Sequence, residues 1–167
     1  MKDSPFVPQI NTILWPTDLS PGSQAASAYV DMLASRFDAQ VHLLYVATDF
    51  NEYDHIYGDA NTKAMVKLQE KERARIEEKI NNICQNDLSG CPVQIKHIVT
   101  GDPAREILEA AETLKVDLIV MATQGWGDES AGPRFFGSTT EKVVRNAKIP
   151  VFTIKPGKAV EDRKQNL

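Results

Sequence analysis

The chain has 167 residues, of which 42% are hydrophobic and 25% are charged. This composition is typical of a soluble globular protein and excludes wholesale disorder, collagen and coiled-coil fibres, while the length favours one domain with one core. The formal net charge of −4 argues against a nucleic-acid partner, because affinity for a phosphate backbone depends on an excess of Lys and Arg.

The sequence has no recognisable export or membrane signal. Polar residues and prolines interrupt the first eleven positions, and the longest apolar run, 118–122, is far shorter than the about 20 residues that a membrane-spanning helix needs. We therefore expect a cytoplasmic protein with no membrane partner. In that compartment the two cysteines, Cys84 and Cys91, are expected as reduced thiols, although the sequence leaves a disulfide between them open.

Apolar runs rich in β-branched residues alternate with helical patterns along most of the chain, which predicts βαβ units in a parallel sheet. The first strand, 12–15, is followed by Ser20 and Pro21, a typical N-cap with proline at the first helical position. The helix that they begin should run to about Phe37. Its expected buried residues are Ala25, Ala26, Tyr29, Met32 and Leu33.

The later elements continue this alternation. The remaining predicted strands are 41–46, 93–99, 118–122 and 151–154, and the remaining predicted helices are 62–85, one that begins after Asp102, and 137–146. Two stretches lack periodicity: a polar loop at 47–61, which could cover a site, and a glycine-rich loop at 123–136. We expect an α/β domain at 11–156, an N-terminal extension at 1–10 and a charged tail at 157–167.

Ligands of open parallel sheets bind outside the carboxyl ends of the strands, where the strand order reverses, so the loops after strands one, two and four are candidates. The first strand ends in Pro16, Thr17 and Asp18. The carboxylate of Asp18 could accept from ribose hydroxyls or hold a metal, or it could cap the following helix, and the residues alone leave these interpretations open.

Glycines follow the fourth strand at positions 125, 127, 132 and 137, and Ser138, Thr139 and Thr140 come next at a helix start. Glycine lets backbone N–H groups approach an anion, and a helix N-terminus adds unpaired donors. Phosphate is the predicted ligand. Trp126 could stack on a base, but packing on the protein or a partner is the more common role of such a residue.

Two familiar phosphate motifs do not fit. Residues 132–139 have the spacing of a P-loop, but Ser138 occupies the lysine position, and the glycines at 125 and 127 follow the fourth strand rather than opening a first βαβ unit. His42 and His97 fall inside strands and His55 has no evident nucleophile beside it, so no catalytic triad can be assembled. We predict no catalytic or metal-binding residue and, at most, slow catalysis.

Several segments resemble the universal stress protein family, and together they cover nearly the whole chain. They are 13–18, 41–46, 101–104, 117–125 and 137–151. The resemblance implies a five-stranded parallel sheet of order 3-2-1-4-5 with helices on both faces, a Rossmann-like arrangement. It also implies a cytoplasmic homodimer and, in one branch of the family, bound ATP.

The ATP-binding branch has a glycine, two residues, a second glycine, nine residues and a closing Gly-Ser or Gly-Thr. In this chain the first glycine position is Ala122, the second is Gly125 and the closing glycine is Gly137, with eleven residues between the last two. The acidic pair at 128–129 would repel phosphate, and Arg134 partly offsets it.

Carried onto this chain, the resemblance implies that Asp18 meets the ribose, that the backbone of Val46 meets the adenine, and that residues 137–139 hold the phosphates. The expected ligand is ATP, with or without Mg²⁺. The full set of expected nucleotide-binding residues is Pro16, Thr17, Asp18, Val46, Met121, Ala122, Gly125, Arg134, Gly137, Ser138, Thr139 and Thr140.

The leading hypothesis is a stress-response switch that binds ATP or a related adenine nucleotide. The alternative is a nucleotide-free homodimeric scaffold that acts through protein partners, which Ala122, the longer loop and the acidic pair favour. An adenylate-forming or nucleotide-hydrolysing enzyme is a third hypothesis. The homodimer should form through the edge strand Val151 to Ile154, because a short β-branched edge offers unpaired backbone groups.

Overall fold

The computed structural model describes residues 8–47, 63–89, 93–123 and 136–155. Its strands are β1 (Thr12–Pro16), β2 (Gln40–Ala47), β3 (Val93–Thr100), β4 (Leu118–Ala122) and β5 (Val151–Ile154). Its helices are α1 (Pro21–Gln24), α2 (Ser27–Phe37), α3 (Lys63–Asn86), α4 (Pro103–Thr113) and α5 (Ser138–Asn146).

The five strands form one parallel sheet in the order β3-β2-β1-β4-β5. The predicted fold class and strand order are therefore confirmed. The order reverses at β1, which has β2 on one side and β4 on the other. This is the position at which open α/β sheets bind ligands.

Helices cover both faces of the sheet, and alternate strand residues enter one or the other of two cores. One core packs against α2 and α3 and includes Ile13, Trp15, Val41, Leu43, Val120, Val30, Ala34 and Ile80. The other packs against α4 and α5 and includes Leu14, Leu44, Ile119, Met121, Ile107, Ala111 and Val143. Burial on both faces explains the nearly continuous apolar runs of the central strands.

The helix predicted at 21–37 is two helices, not one. Ser20 caps the first as expected, since its hydroxyl accepts from the N–H of Ser23. The next turn tightens, because the N–H of Ala25 approaches the carbonyls of both Pro21 and Gly22. A new helix then begins at Ser27.

The buried stripe of α2 also differs from the prediction. Ala26, Val30 and Ala34 are fully buried, whereas Met32 is 53% exposed. Residues four apart lie on the same face of a helix, and Met32 lies about half a turn away from Val30 and Ala34. The expected burial of Met32 was therefore wrong.

Gly101 lies between β3 and α4 and has a φ of 151°, a conformation that L side chains rarely adopt. A Cβ at this position would meet the carboxylate of Glu106. The N–H of Gly101 donates to the carbonyl of Ala47 over 3.3 Å, which holds the start of α4 beside the end of β2.

None of the helices in the described ranges has the length and apolar character needed to cross a bilayer. Cys84 is a free, buried thiol of α3. Burial raises its pKa, and the nearby charge of Lys96 partly opposes that effect. Cys91 lies outside the described residues, so the expectation of two reduced thiols stays a prediction.

Candidate functional site

The loop between β1 and α1 is built around the buried side chain of Thr17. Its N–H donates to the carbonyl of Leu44, and its hydroxyl oxygen accepts from the N–H of Leu19 over 3.0 Å. Because Ser23 donates to a backbone carbonyl, the hydroxyl of Thr17 donates to Ser23 over 2.9 Å. Leu19 itself has a φ of 61°, a strained value for a bulky residue. Side-chain hydrogen bonds thus hold this loop in one conformation.

Asp18 is exposed at the tip of this loop, and its Oδ1 accepts from the N–H of Ser20 over 3.0 Å. Capping of α1 falls to the hydroxyl of Ser20 rather than to Asp18. The carboxylate is therefore oriented by the loop while lying at the surface of the carboxyl edge of the sheet.

Tyr45 lies near the end of β2, and the pKa of its phenol is sensitive to the carboxylates at the carboxyl edge of the sheet. Burial raises the pKa of its phenol above the ordinary 10.0, and the charges of Asp18 and then Glu72 raise it further. Glu72 belongs to α3, so two carboxylates from different elements face this phenol. The carboxylates of Asp18 and Glu72 thus make the surroundings of this phenol acidic.

Val46 belongs to β2, at a position where the neighbouring strand β1 has already ended. The last residues paired between β1 and β2 are Pro16 and Leu44, and the carbonyl of Leu44 accepts from the N–H of Thr17 on the β1 side. Residues two apart in a strand direct their N–H and C=O groups to the same side. The N–H and C=O of Val46 therefore point toward the crevice at which the strand order reverses.

On the other side of the crevice, two hydrogen bonds join the end of β4 to the start of α5. The hydroxyl of Thr140 donates to the carbonyl of Ala122 over 3.0 Å. The N–H of Gly137 donates to the carbonyl of Thr123 over 2.7 Å. These contacts place the N-terminus of α5 directly at the carboxyl end of β4.

The N-terminus of α5 differs from those of α1 and α4. The side chains of Ser20 and Asp102 cap α1 and α4, respectively. Gly137 is the N-cap of α5 and supplies no side-chain acceptor, while Ser138 is exposed and Thr139 half-buried. Uncapped N–H groups and the helix dipole together suit an anion at this end of α5.

Two expected binding residues have structural roles in this arrangement. Thr140 is buried, and its hydroxyl donates to the carbonyl of Ala122 and so connects α5 to β4. Met121 packs its side chain into the core against α4 and α5 and is 5% exposed. The main-chain N–H of Thr140 remains a candidate for ligand contact, whereas the main chain of Met121 faces β5, as those of Ile119 and Thr123 do.

Thr123 was missed by the sequence reasoning. Besides its carbonyl contact with Gly137, its N–H donates to the carbonyl of Ile154 over 2.8 Å. Its buried hydroxyl has no hydrogen-bond partner in the described structure. A polar residue directly after a fully apolar strand was the available signal.

Other predicted features lie outside the described residues. They are Gly125, Arg134, Trp126, the acidic pair at 128–129 and the loop 47–61 apart from Ala47. Within the described ranges, no group of three or more His, Cys, Asp or Glu side chains could hold a metal ion.

Comparisons with known proteins agree on one family. The universal stress protein family matches residues 9–155. Universal stress protein MJ0531 of Methanocaldococcus jannaschii is 32% identical over 147 residues, which cover 87% of this chain and 82% of that protein.

Solved structures show the same architecture. The structure of MJ0577, also from Methanocaldococcus jannaschii, has a TM-score of 0.73 and 27% identity and covers 90% of this chain and 99% of its own. The universal stress protein of Archaeoglobus fulgidus in complex with dAMP has a TM-score of 0.61 at 15% identity, covering 89% of this chain and 100% of its own. The chain belongs to the universal stress protein family.

Proposed function

We propose that this protein binds an adenine nucleotide, ATP or a close relative, at the carboxyl edge of the sheet and acts as a regulatory switch with little or slow catalysis. The observation that carries the proposal is the N-terminus of α5, which lacks a side-chain cap and is anchored at the end of β4. In this site the phosphates bind the N–H groups that begin α5, and the exposed Ser138 hydroxyl adds a donor.

The main chain of Val46 supports adenine as the base. One N–H donor and one C=O acceptor point to the same side of the strand beyond the end of β1. The Watson–Crick edge of adenine offers the complementary pair, a ring-nitrogen acceptor beside an amino donor. The exposed carboxylate of Asp18 is a suitable acceptor for ribose hydroxyls.

Ala122 is compatible with such a ligand. Its side chain is 7% exposed, so the methyl group that replaces the family's glycine hydrogen is enclosed by protein. The dAMP complex of the Archaeoglobus fulgidus relative provides a precedent for an adenine nucleotide on this fold. Gly125 and Arg134 would complete the phosphate site.

The switch would work through α5. Phosphate binds at one end of this helix, and the other end leads within five residues to β5, the edge strand of the sheet. Nucleotide binding would then favour one of two positions of α5 and so alter the surface that β5 presents.

Calorimetric titration with ATP and Mg²⁺ tests the proposal, with Ser138→Glu as the informative variant. A glutamate in the first turn of α5 interacts favourably with the helix dipole, so the helix should be retained, but its negative charge repels phosphate. We expect affinity to fall by about tenfold or more while the fold is retained. Asn82→Glu adds the same charge to an exposed site of α3 and should leave affinity unchanged. Absence of binding at millimolar nucleotide would overturn the proposal.

A homodimeric scaffold that acts through protein partners is the second candidate. Phe152 on the edge strand β5 is 41% exposed, and its ring contacts Tyr29 of α2 edge-on at 6.2 Å between centroids. An apolar edge strand of this kind suits pairing with a second copy.

Light scattering at micromolar concentration tests this candidate. We expect the mass of a dimer, and Phe152→Asp should reduce it to that of a monomer. Val66→Asp places the same charge at another exposed apolar residue, 42% exposed, and should leave the mass unchanged. A dimer without measurable nucleotide affinity would favour the scaffold over the switch.

A further inference from the structure

The two histidines of the sheet form a hydrogen-bonded pair that the nucleotide site does not use. His42 lies on β2 and His97 on the edge strand β3, with the imidazole nitrogens Nδ1 of His42 and Nε2 of His97 2.8 Å apart. The rings are nearly parallel, with an interplanar angle of 13° and centroids 5.1 Å apart. His42 is buried, at 6% exposure, and His97 is half-buried, so the contact is partly shielded from water.

Gln40 fixes the direction of the hydrogen bonds. Its side-chain oxygen lies 3.0 Å from Nε2 of His42, and an amide oxygen only accepts, so Nε2 of His42 carries the proton. The Nδ1 of neutral His42 is then an acceptor, and His97 must donate from its Nε2. Both neutral rings are thus protonated on Nε2, in a chain that runs from His97 through His42 to Gln40.

Among the described residues, no same-face neighbour of the pair on the adjoining strands carries a carboxylate that would stabilise a charged ring. The same-face neighbours on the three adjoining strands are apolar or neutral: Leu14, Gln40, Leu44, Ile95 and Val99. The residues that α4 buries are Ala104, Ile107 and Ala111.

Charged groups in the adjoining elements have other partners. On α4, Arg105 pairs with Glu106 and Glu109, and Glu112 pairs with Lys148. Asp117, at the amino edge of the sheet, accepts from the backbone N–H groups of Asn11 and Thr12. Burial lowers the pKa of both histidines, and for His42 the charge of His97 lowers it further.

The pair can accept one proton but not two without losing its hydrogen bond. With one proton, a charged ring still donates to a neutral one. With two, the Nδ1 of His42 and the Nε2 of His97 both carry hydrogens and face each other across 2.8 Å. The repulsion acts on β3, which among the described strands has β2 as its one neighbour in the sheet.

We propose that His42 and His97 form an acid-sensitive latch, and that double protonation in mildly acidic solution releases the edge strand β3 from β2 before the rest of the sheet unfolds. An opened strand leaves both rings free to take up protons in water. Below the ordinary histidine pKa of 6.5, opening therefore becomes about tenfold more favourable per pH unit for each extra proton bound. Release of β3 also frees the connection through Gly101 that positions α4.

Hydrogen exchange of the full chain at pH 7.5 and 5.5, corrected for intrinsic exchange rates, tests the latch. We expect protection in β3 to fall by about tenfold more than protection in β1 and β4. His97→Gln keeps an amide donor toward His42 and offers an oxygen when His42 is charged, so the excess loss should disappear. His55→Gln removes the remaining histidine and should behave as wild type.

Equal loss of protection in all strands, or the same excess in His97→Gln as in wild type, would show that the latch does not exist. Ring-nitrogen NMR of the wild-type protein gives a second measurement that needs no variant of the pair. At neutral pH both His42 and His97 should be protonated on Nε2 alone. A proton on Nδ1 of His42 at neutral pH would contradict the proposed hydrogen-bond chain.

Discussion

The hydroxyl of Thr140 donates to the carbonyl of Ala122 over 3.0 Å, in a buried contact between α5 and β4. The two residues are eighteen positions apart in the sequence, and most of the residues between them belong to the glycine-rich connection. This hydrogen bond and the one between Gly137 and Thr123 set where the N-terminus of α5 lies. The anion site proposed at that terminus therefore depends on a side chain that itself faces the protein interior.

Thr140→Val should lower the free energy of unfolding by about 1–3 kcal/mol, because it leaves the carbonyl of Ala122 buried without its donor. Urea denaturation measures the change. Thr140→Ser retains the hydroxyl and should cost less than the valine variant. Equal stability of the valine variant and the wild type would show that the contact contributes nothing.

Thr17→Val should likewise lower the free energy of unfolding by about 1–3 kcal/mol. The substitution removes the acceptor for the N–H of Leu19 and the contact with Ser23. Leu19 has the left-handed conformation, so its loop depends on that acceptor. Thermal or urea denaturation reports the loss, and Thr17→Ser, which keeps the oxygen, should recover part of it.

Asp18→Asn should separate charge from structure in the first loop. An amide oxygen still accepts from the N–H of Ser20, so the loop should persist, while loss of the negative charge lowers the pKa of Tyr45. That pKa should stay above 10.0, because burial is the largest cause of its rise. Phenolate absorbance follows the titration, and Tyr45→Phe identifies its share among the four tyrosines.

Under the proposed function, Asp18→Asn should also weaken ATP binding by several-fold, about 1 kcal/mol for a charged hydrogen bond reduced to a neutral one. Glu72→Gln provides the control, because it lowers the pKa of Tyr45 in the same direction without touching the proposed ribose contact. If the two variants weakened binding equally, the effect would be the general charge of the edge and not the ribose contact.

Asp102 should contribute to stability as a cap more than as an ion pair. Asp102→Ala should cost about 0.5–2 kcal/mol, the usual loss for an N-cap, whereas Asp102→Asn still accepts from Arg105 and should cost less. The 3.6 Å pair with Lys142 is exposed and adds little. Urea denaturation of the three proteins checks this order.

The pH dependence of Asp102 has a definite sign. The N–H of Arg105 and the charge of Lys142 hold the pKa of this carboxyl below its ordinary 3.8. The ionised cap therefore stabilises the protein above pH 3.8, and that contribution disappears as the pH falls through the lowered value. The difference in the free energy of unfolding between wild type and Asp102→Asn, measured by denaturation at a series of pH values from 7 downward, should shrink as the pH falls below 3.8.

Strands were predictable because burial on both faces leaves an uninterrupted apolar run in the sequence. The predicted bounds of β4 and β5 are those of the structure, and β2 and β3 extend the predictions by one residue or two. The order of the strands came from the family resemblance, since alternation of strands and helices does not fix it. The caps Ser20 and Asp102 were also visible, because serine or aspartate before proline is a local signal.

Features that depend on distant contacts were not predictable. The two alanines at 25–26 carry no sequence signal for the end of one helix and the start of the next. The role of Thr123 depends on the N–H of Gly137, from which its carbonyl accepts, and on the carbonyl of Ile154, a residue of another strand. The sequence placed His42 and His97 inside predicted strands, but their pairing depends on the register of β2 with β3.

The main chain of Val46 has a consequence for mutagenesis. Every residue type has the backbone C=O and every type but proline has the N–H, so an alanine scan of β2 leaves both groups intact. A base that binds there would show no dependence on the side chain at position 46. Only a change to the backbone itself, such as Val46→Pro, removes the donor, and recognition by this strand is thus invisible to experiments that delete side chains.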